Sequence, residues 1–437
     1  MRDLLLALLM AGLIPVALFR PVVGVYLWAW VSMMNPHTLA FGFAKAVPWA
    51  MIIAVVTLVS VLVHKRSRHS LPMSIGMGLL LMLLLLMTVT SVFSINNPTE
   101  VWERWVFFMK TVLMLLVTLV VLRGRKQIEI LLWVLVVSVG FYGVKGGIWT
   151  VLTGGGGRVW GPPGGMLAGN NELAVGLIMV LPLAYYLFLV AERRWLRWAL
   201  GFSMVAMAFG ILGSQSRGAL VALLAIALML GLKGKRPVRD TLALLVLSAS
   251  AITFMPDSWT ERMETISTYG EDRSAMSRVW TWQTLWNLAL DRPLIGGGFR
   301  SDSAEVFSIY SPDQGRGSFS QDSYVAHSIY FQALGEHGFP GLILYLSFGI
   351  WIWVAAGRLG RQTKDDPEFG AWVPQLMRMC QISLLGFAVG GAFLSMMLLD
   401  LPYYLFGIVA LARASVPSPQ QANGFAGNAK NNRLARS

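Results

Sequence analysis

Long apolar runs alternate with short polar joints over most of this chain. The runs fall at 4–19, 22–34, 47–63, 72–92, 101–122, 128–152, 172–191, 195–213, 218–232 and 239–255, then at 328–356, 375–395 and 397–413. Most approach the roughly 20 residues an α-helix needs to cross a bilayer. They are continuous, not ten-residue segments of alternating polarity, so helices are expected and not a β-barrel. One long polar segment, 255–326, interrupts the series. Its arginines and carboxylates keep it out of lipid, and it is read as a loop domain with short helices of its own. The pattern thus divides the chain into N-terminal membrane helices (1–254), the large loop (255–326), C-terminal membrane helices (327–413) and a polar, disordered tail (414–437).

Charge adds sidedness to this picture. Basic clusters follow every second run: HKRSRH (64–69), RGRK (123–126), ERRWLR (192–197), KGKRPVR (233–239), RLGRQTK (358–364) and the tail. If all are cytoplasmic, as the excess of Lys and Arg on that side predicts, the loops 94–104, 154–172, 213–218, 255–326 and 398–404 share the opposite face. The first two runs, parted only by Arg20 and Pro21, are read as one net crossing or as a re-entrant hairpin plus a span. The expectation is an all-α polytopic membrane protein of about 12 transmembrane helices with both ends inside. Composition agrees, with 56% hydrophobic and 13% charged residues and a mean hydropathy of +0.61. Soluble domains carry about 25% charged residues. The net charge of +13 therefore sets topology, and nucleic-acid binding is not expected. The first run ends without a small-residue cleavage site, so no cleavable signal is predicted.

The polar groups unusual for a membrane protein gather on the face opposite the basic clusters. Arg217 opens an apolar helix, where a snorkelling anchor is the plain alternative to anion binding. Every other such anchor lies on the basic side, and Gly218 leaves room for a ligand. Arg278 begins a helical stretch whose Val279, Trp282, Leu285, Trp286 and Leu288 form an apolar stripe, read as packing against the membrane core or surface. Arg300 follows three glycines, a pattern that suits a phosphate cradle or merely a tight turn. His327 begins the next membrane helix, where an imidazole suits a general base. His337 lies about 15 Å further along if that helix is unbroken, too far to act on the same atom. Asn170, Asn171 and Glu172 are read as a helix cap that, with Arg158, also lines a polar pocket. The single Cys380 excludes an internal disulfide or cysteine metal site. No P-loop, HExxH or metal-spaced acidic cluster occurs, so neither a nucleotide cofactor nor a metal is expected.

At His327 the chain reads H-S, nine residues, then G-F-P-G (338–341). This resembles the motif of the O-antigen ligase family, within a superfamily that includes O-antigen polymerases and bacterial protein O-oligosaccharyltransferases. SRGAL around Arg217, SRVWTWQTLW with DRPLIGGGF, and GNNELA at 169–174 extend the likeness over residues 150–410. The amino-terminal region is similar to that of ligases associated with exosortase systems. The resemblance implies a multi-pass enzyme of the bacterial inner membrane, its large loop and active site facing the periplasm. It implies transfer of a glycan from undecaprenyl pyrophosphate to lipid A-core, without a metal. His327 would be the base, and Arg217 and Arg278 would hold the pyrophosphate. Direct displacement at the anomeric carbon predicts inversion. A polymerase or protein O-oligosaccharyltransferase with the same donor is the near alternative. A lipid-linked glycan transporter is the distant one, expected to bury its cations mid-bundle at broken helices.

Overall fold

The computed structural model describes residues 1–233, 273–312 and 325–417. The apolar run at 239–255, the rest of the large loop and most of the tail lie outside these residues. Among the described residues the chain is helical throughout, with no strand. The helices are α1 (Arg2–Phe19), α2 (Pro21–Met34), α3 (Trp49–Val63), α4 (Ile75–Val92), α5 (Pro98–Val121), α6 (Gly124–Leu152), α7 (Asn170–Val190), α8 (Arg194–Gly213) and α9 (Arg217–Lys233), then α10 (Arg273–Asp291), α11 (Ala304–Tyr310), α12 (Ile329–Gln362), α13 (Val373–Gly390) and α14 (Asp400–Ser415). Eight are long and apolar enough to cross a membrane, and α2, α3 and α9 are shorter apolar helices.

The first two runs form two helices. Arg20 interrupts them in an extended conformation and Pro21 starts α2. The carboxylate of Asp3 accepts the amides of Gly42 and Ala44, at 2.9 and 3.1 Å. The start of α1 is thus fastened to the chain just beyond α2, so the pair runs as a hairpin. Leu5 and Leu8 stay more than 70% exposed, as suits a helix whose neighbour is lipid and not protein.

Glycine sets the closest packing. Gly143 and Gly147 on α6 face α8, and a Cβ on Gly147 would overlap the Ala206 carbonyl. Without a hydrophobic drive between helices in lipid, such small residues let backbones approach and gain dispersion energy. At the core, α7 and α13 are buried over most of their length.

The long helix α12 is broken inside. Gly338 has φ 66° and ψ −168°, and Pro340 follows two residues later. Proline lacks the amide that would take the Glu336 carbonyl, and the Phe339 amide turns away to the Pro293 carbonyl at 2.9 Å. The two carbonyls so released accept the amides of Gly297 (from Gly335) and Gly298 (from Glu336), both at 2.8 Å. The glycine-rich turn is therefore a latch onto α12. It does not offer these two amides to a phosphate.

This geometry predicts the effect of two substitutions. Gly338→Ala demands a conformation essentially confined to glycine, at about 1–3 kcal/mol, and sets a Cβ 2.5 Å from the Pro293 carbonyl oxygen. Gly147→Ala overpacks the α6–α8 contact, costing about 1–3 kcal/mol. Thermal melting of purified protein in detergent should show a lower Tm for both, and Gly12→Ala, which meets nothing within 4 Å, should leave it unchanged.

Candidate functional site

Of the polar loops that charge alternation assigned to one face, all but 213–218 contribute to the wall of a cavity of about 780 Å³. Its wall takes Arg104 and Lys110 from α5, residues 164–169 from the glycine-rich loop and Arg300–Asp302 from the turn beyond the latch. Val325, Ala326 and Ser395 bring it to the segment that carries His327.

His327 sits two residues before α12, whose cap is Ser328. Its φ is 45°, a left-handed conformation that costs a non-glycine residue about 1–2 kcal/mol. The His327 amide donates to Ser395 Oγ at 2.9 Å and holds that shape. Strain retained at one residue by a dedicated contact is a feature of functional positions. The ring is mostly buried. Burial first, and the positive charge of Arg278 second, keep the imidazole below its ordinary pKa. At neutral pH it is therefore the uncharged form, able to accept a proton.

Arg278 lies in the second turn of α10, because that helix begins at Arg273 and not at the arginine itself. One turn further on, Trp282 donates its indole N–H to the Ala326 carbonyl at 2.8 Å and stacks on Phe331 at 5.2 Å. Residues four apart share a helix face, so the same contacts aim Arg278 at His327. Leu285 and Leu288 are buried beneath them, which bears out the packing reading of this stripe for those two. Trp286 remains half-exposed against Phe339. Arg278 Nε is buried and has no hydrogen-bond partner among the described residues.

Arg217 is the first residue of α9, as its sequence context suggests. At the next position a Cβ on Gly218 would lie 3.2 Å from Phe393. Phe393 ends the short turn that leads to Ser395 and so to His327. Asn170 is not the cap of α7. That position belongs to Gly169, and Asn170 instead donates to the Ser214 carbonyl at 2.7 Å, tying α7 to the turn before Arg217. Asn171 follows it in the first turn of α7. Arg158 is half-buried on the same loop system, beside the Val159 amide that donates to the Gly213 carbonyl at 3.0 Å.

The other two candidates are placed differently. Arg300 reaches the cavity but is held by Glu100 at 3.2 Å and Asp302 at 3.4 Å. His337 is fully buried, shares a 2.7 Å hydrogen bond with Thr90 and meets the Phe299 ring edge-on at 4.8 Å. It does not line the cavity. Its place is in the packing beneath the latch.

Arg104, Lys110, Gln332, Glu336 and Asp400 line the cavity without having been singled out from sequence. Arg104 and Lys110 carried a usable signal, since cations inside an apolar run are costly and mark sites. Glu336 and Asp400 are buried, and Asp400 accepts the Thr111 hydroxyl at 2.7 Å.

Residues 202–346 match a family model described as O-antigen ligase. Residues 1–191 match a family of unknown function (DUF5935). No curated protein matches the chain. The first match contains Arg217, Arg278, Arg300, His327 and the break at Gly338, whereas Arg104, Lys110, Arg158 and Asn170 fall in the second. By this match residues 202–346 carry an O-antigen ligase family domain, which supports a glycosyl-transfer role of the ligase or polymerase type in a multi-pass helical membrane protein.

Proposed function

We propose that this protein is an O-antigen ligase of the bacterial inner membrane, moving a glycan from undecaprenyl pyrophosphate to lipid A-core at the periplasmic face. The observation that carries the reading is the pairing of a half-buried, uncharged His327 with an Arg278 whose buried Nε has no hydrogen-bond partner among the described residues. A guanidinium left short of acceptors beside a neutral imidazole suits a site completed by an anionic substrate. The forked N–H groups of arginine match phosphate oxygens.

His327 takes the proton of the acceptor hydroxyl as that oxygen attacks the anomeric carbon. The bond from this carbon to the pyrophosphate oxygen breaks, and undecaprenyl pyrophosphate leaves with the electron pair. Arg278 and Arg217 stabilise the charge where it grows, in a partly dehydrated setting that strengthens their field. A single displacement inverts the anomeric configuration, and no step requires a metal. The break in α12 gives little support to a transporter. Both carbonyls that it frees are already taken by the latch, so neither remains to coordinate a passing substrate.

A reconstituted assay tests the assignment. Purified protein, undecaprenyl-pyrophosphate glycan and rough lipopolysaccharide are combined in EDTA without ATP. Wild type should form a lipopolysaccharide ladder. His327→Ala should lose about 10²–10⁴-fold in rate, and Arg278→Ala or Arg217→Ala about 10²–10³-fold. Extension of the donor, or modification of a protein in place of lipopolysaccharide, would move the protein to the polymerase or oligosaccharyltransferase branch. Full activity in His327→Ala would remove the base.

The electrostatics fix a second expectation. An ordinary imidazole is half-protonated near pH 6.5, and here the proton-accepting form persists to lower pH. The acid limb of the pH–rate profile should therefore fall below pH 6.5. Arg278→Gln removes a cation that disfavours the imidazolium, so the limb should move to higher pH while the rate drops. A limb that stays in place would separate Arg278 from the titrating group.

A further inference from the structure

The cavity adjoins the surroundings of His327, with Val325, Ala326 and Ser395 on its wall, although His327 itself, Arg217 and Arg278 are not. A space beside the proposed base, and not walled by the arginines proposed to hold pyrophosphate, suits the substrate that gives up a proton. Its size lies within the roughly 300–1,000 Å³ common for small-ligand sites.

The charges on its wall are unevenly satisfied. Arg300 is paired with Glu100 and Asp302. Arg104 and Lys110 are exposed to the cavity, and among the described residues neither has an ion-pair partner within 4.0 Å. Both stand on α5, a candidate membrane span, with Lys110 about 18 Å along it. Arg104 meets Glu336 only through the longer-range attraction of their charges, and a cation kept at the depth of Lys110 carries a cost that an anionic ligand would offset. The remaining polar wall is of another kind. Glu336 is buried and its carboxylate is met by the Gln332 amide only at 3.4 and 3.5 Å. Asp400 retains acceptor capacity beyond its bond from Thr111. Buried carboxylates and an amide of this sort receive and donate to hydroxyls.

We propose that this cavity is the acceptor subsite. Arg104 and Lys110 bind an anionic substituent, phosphate or carboxylate, on the acceptor saccharide, while Glu336 and Gln332 hold its hydroxyls. The assignment rests on His327 being the base. It also places acceptor choice partly in the N-terminal unit, because Arg104 and Lys110 belong to residues 1–191 and Gln332 and Glu336 to the ligase match.

The test separates this subsite from the transfer reaction itself. Full-length protein in nanodiscs is titrated, without donor, with two probes: phosphorylated lipid A-core and the same molecule dephosphorylated in its core sugars. Wild type should bind the phosphorylated probe about tenfold more tightly. Arg104→Gln with Lys110→Gln should bring the two Kd values together by weakening the phosphorylated probe alone. Equal binding of both probes by wild type would overturn the proposal, whatever the variant does. So would a preference that survives the double substitution. Transfer is measured in parallel. If wild type transfers to neither probe yet shows a preference that the substitutions abolish, the ligase reading fails and the anionic subsite stands. If transfer proceeds with no such preference, the subsite fails and the ligase reading stands.

Discussion

The site depends on an exchange of backbone hydrogen bonds at the break in α12. A helix buried among other helices cannot leave carbonyls unpaired, since each buried orphan costs about 1–3 kcal/mol. Gly338 and Pro340 create two such carbonyls, and the amides of Gly297 and Gly298 take them. The Gly297 carbonyl in turn accepts from the Ser94 hydroxyl at 2.8 Å and the Asn96 side-chain amide at 3.0 Å, which adds a third layer. The joint between α4 and α5, the turn after α10 and the middle of α12 are thereby fixed to one another. Arg300–Asp302 follow directly and take their place on the cavity wall. The motif glycine, Gly338, is thus a structural requirement, and the histidine at the other end of the motif is the one proposed for the chemistry.

Electrostatics around His327 follow from the same rigidity. Trp282 stacks on Phe331 and donates to the Ala326 carbonyl, and Ser395 accepts the His327 amide, so the backbone on either side of the half-buried ring is held in place. Burial and a neighbouring guanidinium act in one direction on a histidine, since both disfavour the imidazolium. Pairing with a carboxylate would have raised its pKa and made a ready proton donor. The acids nearest the chemistry are kept elsewhere: Glu100 and Asp302 on Arg300, Glu336 with Gln332.

Much of this was legible in the sequence. Eight of the apolar runs appear as helices long enough to cross a membrane, because continuous apolar runs have one stable form in lipid. Arg217 at a helix start was readable from position, whereas Arg278 was expected at a helix start that lies at Arg273, and only the family resemblance joined it to His327. The functions of the glycines were not. GGG reads as a phosphate cradle or a turn, and only the partners of its amides, forty residues away, show that it is a latch. The inference that Asn170 caps α7 failed because Gly169 holds the cap position, one residue earlier, and the Asn170 side-chain amide donates instead to the distant Ser214 carbonyl. His337 looked equivalent to His327 by type. Its burial against Phe299 and Thr90 comes from contacts distant in sequence. Arg104 and Lys110 were masked by the hydrophobicity of the run around them.

Two regions with separate family matches share one cavity, and this shapes how such a protein can change. The residues proposed as base and pyrophosphate clamp, His327, Arg278 and Arg217, and the latch lie within residues 202–346. That part must keep distances fixed, because a displacement of about 1 Å costs a reaction of this kind dearly. The opposite wall, on α5 and the loop before α7, meets a substrate through long side chains and backbone in open space. Arg104 and Lys110 extend from a helix whose own packing is made by other residues, such as Phe108, Val112 and Leu115. Replacing them alters charge in the cavity without disturbing the core of α5. A scaffold divided in this way can keep one bond-forming centre and vary what it is offered.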